Sequence, residues 1–212
     1  MNLSEIREEV KLLCQDSSVS DDSIDGYINQ VLLDVCAQCM IPGLKSISTV
    51  TTSTTLAYVS VASLTGGFTG RLIKVLDGNG DSVEIVPSLE LLMEEYGTMT
   101  AEGDIERCCV EGSVLWYAKI PAAAETLTLL YFRDPEELVA DEDVPEDLPT
   151  FCHRALLVNG TAEILFSMIE QGVDGNSFNT LSNRSMKQDG MRKLYEWLGR
   201  NRKHTLSSIW SV

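Results

Sequence analysis

Cysteines, histidines and carboxylates are the side chains with which this chain could cut a bond or hold a metal, and their spacing argues against each use. Cys36-Ala-Gln-Cys39 has the C-x-x-C spacing of zinc and thiol-redox motifs. A zinc site needs two further ligands, and nothing in the sequence brings Cys152 and His153 to this pair. A redox pair belongs at a helix N-terminus. This one closes a predicted helix, where the dipole disfavours a thiolate. Core thiols are the better reading. Cys152-His153 imitates a nucleophile and its base, but neighbours on a helix diverge by about 100°. Cys108-Cys109 falls in a predicted strand and points to opposite faces.

Asp77-Gly-Asn-Gly-Asp81 imitates the start of a calcium loop. Ser82 stands where that loop needs Gly, and Ser88 where it needs a bidentate Glu, so the run reads as a hairpin turn. Gly66-Gly67-Phe68-Thr69-Gly70 lacks the Lys and the Ser or Thr of a phosphate loop. Glu136 and Glu137 open a carboxylate-rich run, yet no spacing or apolar pocket singles out an acid–base pair. Of Trp116-Tyr117 and of Tyr131-Phe132, one member each is expected in the core. The sequence therefore names no catalytic residue, no metal ligand and no cofactor.

The chain's 212 residues, 44% of them apolar, suffice for one or two packed domains. Its formal net charge is −16. Residues 1–150 carry 27 acidic and 8 basic side chains, residues 151–212 carry 5 and 8. Such an acidic body repels phosphates, which excludes a dedicated DNA reader. The basic end, with Arg192, Lys193, Arg200, Arg202 and Lys203, either docks on an acidic surface or balances the chain's own acids. No run reaches membrane-span length and no signal-peptide core opens the chain, so a soluble protein with reduced thiols is expected.

Patterning places helices at 3–14, capped by Ser4, and from Ser20 to about Met40, stopped by Pro42-Gly43. The texture then turns to Thr, Ser and Val. Strands are expected on either side of Thr52–Thr55, at Arg71–Leu76, Ser82–Val86, Glu106–Val110, Val114–Ala118 and Glu125–Phe132, with a short helix at Leu89–Tyr96. Asp134–Asp147 holds eight carboxylates and two prolines and reads as a solvated connection. Helix returns from Pro149 to about Gln171, with Phe151, Leu156, Leu157, Ala162, Leu165, Phe166 and Ile169 inward. A last basic helix spans about Phe178 to His204, weakened at Gly190. The fold class is α+β. Residues 1–43 and 148–204 form a helical bundle, 44–134 an inserted antiparallel β domain, 135–147 an acidic linker and 205–212 an extended C-terminal tail.

Several pieces resemble the head–tail connector, or adaptor, proteins of tailed bacteriophages. They are Leu3-Ser4-Glu5-Ile6-Arg7, Ser23-Ile24-Asp25-Gly26-Tyr27-Ile28-Asn29-Gln30 and Leu129-Leu130-Tyr131-Phe132-Arg133-Asp134-Pro135. Asp141-Glu142-Asp143-Val144-Pro145 and the helix start at Phe151-Cys152-His153 complete the set. The resemblance implies a structural virion protein at the head–tail junction, made in the host cytoplasm. It implies a homo-oligomeric ring, commonly dodecameric, that binds a portal protein on one side and a tail or nozzle protein on the other. Genomic DNA would pass through without sequence-specific binding, and no membrane is involved.

The family's C-terminal segment often reaches the portal, which makes Arg200, Arg202, Lys203, Leu206, Ile209, Trp210 and Val212 the candidate docking residues. Ile209 and Trp210 are anchors of the type that dominate such docking. An acidic lumen would let DNA slide. The alternatives are another tail-completion or tail-terminator ring, or a cell-wall or nucleic-acid hydrolase using paired carboxylates.

Overall fold

The computed structural model describes residues 1–15, 19–64, 66–169 and 178–209, the last nine by backbone alone. The chain divides into two compact units, Met1–Gly43 with Pro135–Val212, and Leu44–Asp134. Helix α1 spans Leu3–Cys14 and α2 Asp21–Gln38. The cap of α1 is Asn2, not Ser4. The Asn2 side chain accepts from the Glu5 amide at 2.8 Å, and the Glu5 carboxylate accepts from the Asn2 amide at 3.1 Å. This reciprocal box satisfies orphan donors two residues earlier than the Ser4 reading allowed. Ser20 caps α2 through Ser23.

The second unit is one seven-stranded sheet, with strands β1 (Lys45–Thr51), β2 (Tyr58–Ser60), β3 (Leu72–Leu76), β4 (Ser82–Ile85), β5 (Arg107–Glu111), β6 (Val114–Tyr117) and β7 (Thr126–Phe132). Their spatial order is β1-β7-β3-β4-β5-β6-β2. The sheet is mixed, which corrects the antiparallel expectation. β4 and β5 run parallel, with Glu84 opposite Arg107 and Ile85 opposite Cys108. The cause is helix α3 (Leu89–Tyr96), which carries the chain back so that β5 starts in the direction of β4.

Helix α3 also packs on β5, where Cys108 and Cys109 are both fully buried. Tyr117 lies in the core with Val75, Leu115, Leu127, Leu129 and Tyr131. Its hydroxyl donates to the Leu56 carbonyl at 2.7 Å and accepts from the Ser53 amide at 3.0 Å, pinning the turn between β1 and β2. Tyr131 and Phe132 are both buried, so the strand's alternation fails at its last residue.

The chain then re-enters the first unit as α4 (Thr150–Cys152), a π-helix (His153–Val158) and α5 (Asn159–Ile169). Every residue from Leu156 to Ala162 is buried. That all-round burial puts the π-helix and the first turn of α5 inside the unit; α5 packs against α1, α2 and α6 (Phe178–Ile209), and its end at Met168 and Ile169 is exposed. The sequence pattern suggested a single inward face.

Two glycines permit the close packing. A Cβ on Gly160 would sit 2.6 Å from Val31 Cγ1, and one on Gly190 would sit 2.8 Å from Ala155 Cβ and Leu156 Cδ2. Gly190, read from sequence as a weak point, is a crossing point of α6 over the π-helix. α6 continues to Ile209, past the expected end at His204 and through most of the expected extended tail. Between Arg200 and Ile209 there is neither Gly nor Pro to stop it.

Candidate interaction surfaces

Most of the groups singled out for chemistry are buried or held in structural roles. None of the six cysteines is in a disulfide. Burial pushes the Cys108 thiol up to about 12, and the Cys109 and Cys152 thiols up to about 11, so all three stay protonated at neutral pH. Cys39 closes α2 and lies close enough to Cys152 to add to that shift.

His153 is buried, and burial lowers its proton affinity below the ordinary histidine value. Its Nε2 is 3.0 Å from the Leu148 carbonyl, so that nitrogen carries the hydrogen. Its Nδ1 then accepts from the Met1 amino group at 3.2 Å. Both ring nitrogens are occupied, which leaves none to serve a nucleophile. Asp77 spends its carboxylate on the hairpin, accepting from the Asn79 and Asp81 amides at 2.9 and 2.8 Å. Among the described residues no cluster of three His, Cys, Asp or Glu could hold a metal ion.

The acidic connection is tied down through its backbone, while Glu136, Glu137, Asp141, Glu142 and Glu146 stay exposed. The Asp143 and Asp141 carbonyls accept from the first amides of α1, Leu3 at 2.8 Å and Ser4 at 3.1 Å. The Asp143 carboxylate accepts from the Val139 and Ala140 amides, both at 2.8 Å, and these bonds hold its pKa below the usual carboxylate range. Arg7, only 12% exposed, grips Asp25 with two bonds of 2.7 and 2.6 Å and reaches Asp141 at 3.0 Å. The bond to Asp25 is the main reason its guanidinium holds its proton more tightly than usual. Leu138 and Leu148 are buried beneath. One carboxylate of the run, Asp141, is thus paired with a partly buried cation, and the run is stapled by its backbone. The sequence signal was present in Arg7 and Asp25, which the resemblance quoted without giving them a role.

Of the candidate docking residues, Arg200 is 80% exposed and lies 3.9 Å from Glu196. Arg202, Lys203, Leu206 and Ile209 lie on the backbone of α6. Trp210 and Val212 lie outside the described residues. Upstream, the helix uses its cations internally. Arg184 and Lys187 reach Glu163 of α5 at 2.7 and 3.7 Å, and Arg192 lies 3.2 Å from Asp189 and 3.8 Å from Glu196. A cleft of about 470 Å³ opens where Leu13, Phe151 and Met186 meet Arg154 and Lys193. Phe151 and Met186 are half exposed there. No helix among the described residues is long and apolar enough to cross a membrane.

Compared with known families, residues 1–203 match the model described as SU10 adaptor protein. No curated protein matches the chain.

Proposed function

The chain belongs to the SU10 adaptor protein family, a family of phage head–tail adaptors, and from that premise we propose that its copies assemble as a ring on a portal protein. A phage adaptor is a virion component of the head–tail junction, and its role is structural. In the finer reading, a dodecameric ring extends the portal's channel toward a tail or nozzle protein, and genomic DNA passes without sequence-specific contact. The match over residues 1–203 carries this reading, because it spans both units and most of α6.

The physical properties support it. A net charge of −16 disfavours phosphate contacts, which is what a conduit for moving DNA requires. Five of the six thiols and His153 are buried, as suits a part that works by packing. α6 ends in a basic stretch, Arg200 to Lys203, followed by the apolar residues Leu206 and Ile209 and the anchor Trp210. Docking of that segment on the portal would bury its apolar anchors. The test compares the full chain with one ending at residue 199, each mixed with portal and sedimented. Loss of co-sedimentation in the shorter chain is expected. Equal retention of both would refute docking through Arg200, Arg202, Lys203, Leu206, Ile209, Trp210 and Val212.

A further inference from the structure

We propose that the open edge of β1 is where a second copy of this chain docks, adding its β2 edge to extend the sheet. This names the contact between copies within the ring reading. The sheet begins at β1 and ends at β2, so each has a single bonded neighbour. β1 pairs with β7 over its whole length, from Lys45 opposite Phe132 to Thr51 opposite Thr126, without a bulge.

Two bonds flanking that ladder set its phase. The Arg133 amide donates to the Leu44 carbonyl, and the Thr52 amide to the Glu125 carbonyl, both at 2.9 Å. Bonded pairs recur every second residue of an antiparallel ladder. Ser46, Ser48 and Val50 therefore face β7, while Lys45, Ile47, Thr49 and Thr51 turn their N–H and C=O groups outward. On β2 the same reasoning applies. The Tyr117 amide bonds to Ala57 and the Val61 amide to Ser113, both at 2.9 Å, so Tyr58 and Ser60 face the open side. The Tyr58 carbonyl also lies 3.3 Å from the Tyr117 hydroxyl, which leaves the Tyr58 amide and both Ser60 groups for a neighbour.

Native edges are usually guarded by charge, proline or a bulge. This pair has no proline and no bulge, and its one charge is Lys45 at the start of β1. From Ser46 to Gly70 the sequence contains no charged residue and no proline, although 23% of the whole chain is charged. Apart from Lys45, both open edges and the turn joining them lie inside that run. Two copies of a chain at −16 repel one another over most of their surface. The uncharged run is where they can meet without opposing like charges, and the charges at its two borders, Lys45 and Arg71, are both positive. Ile47, 69% exposed, and the exposed Leu56 and Tyr58 add apolar area there. Edge β1 of one copy against edge β2 of the next is a heterologous contact that uses each edge once and closes by rotation.

The test uses the full chain in sedimentation velocity over a range of concentration and salt. Thr49→Pro removes an outward amide and spares the β7 ladder; Ile47→Glu places an acid on the exposed edge. Wild type should associate more strongly as salt screens its charge. Each variant should associate about tenfold more weakly or worse, with an unchanged melting temperature. Variants that associate like wild type, or a wild type that stays monomeric at every concentration and salt, would overturn the edge contact. Portal binding separates the two readings. If Thr49→Pro forms the same rings on portal as wild type, the edge fails and the adaptor role stands. If wild type self-associates through the edge yet ignores portal, the adaptor role fails and the edge stands.

Discussion

Asn29 holds both backbone atoms of Leu138: its Nδ2 donates to the Leu138 carbonyl and its Oδ1 accepts from the Leu138 amide, each at 2.9 Å. One side chain on α2 thus mimics a strand partner for the segment that leads back from the β unit. Asn29→Ala should cost about 1–3 kcal/mol in denaturant unfolding, because the half-buried backbone pair loses both partners. Asn29→Asp keeps the acceptor and turns an anion toward a carbonyl. It should cost at least as much, and an Asp variant as stable as wild type would show that the clamp contributes nothing.

Gly190 and Gly199 make a matched pair on α6. Helix propensity alone favours Ala at either site by about 1 kcal/mol. At Gly199 nothing lies within 4 Å of the added Cβ, so Gly199→Ala should stabilise. At Gly190 the methyl would strike Ala155 and Leu156 at 2.8 Å. Gly190→Ala should therefore destabilise, by about 1–3 kcal/mol. Opposite signs in thermal melts are the expected result.

The buried His153 makes stability depend on pH. Its folded-state proton affinity lies below the ordinary value of 6.5, mainly through burial. As pH falls below about 6.5 the unfolded chain takes up a proton that the folded chain resists. Stability should be level above that point and decline as pH drops through it toward the depressed folded value. His153→Gln should flatten that limb in melts taken across the window. An unchanged slope would assign the effect to other groups.

Thiol labelling should rank the cysteines by access. Cys14 is half-buried, while Cys36, Cys39, Cys108, Cys109 and Cys152 are buried. Under native conditions alkylation followed by peptide mass analysis should mark Cys14 first. The raised thiols of Cys108, Cys109 and Cys152 should react only on unfolding.

The elements themselves were legible in sequence because their signals are local. The Ser20 cap, the Pro42-Gly43 stop, the Asp77–Asp81 turn and the Thr-rich strands each depend on neighbours a few residues away. The misses depend on distant partners. Asn2 replaced Ser4 as a cap with the help of carbonyls from Asp141 and Asp143. The parallel β4–β5 pair follows from where α3 returns the chain, which periodicity does not encode. Gly190 reads as a helix breaker until the helix crossing it is in place. Likewise the open groups of Lys45, Ile47, Thr49 and Thr51 emerge only from the register with β7, although the lack of charge around them is visible in the letters.

The helical unit is assembled from two pieces, Met1–Gly43 and Pro135–Val212, with the entire sheet between them. During synthesis α1 and α2 leave the ribosome long before α5, the helix that fills the space between them, has been translated. The sheet, being continuous in the chain, has all its strands available first. The sheet can therefore close while the helical unit still lacks its later half, and a translational pause after residue 134 would lengthen that interval.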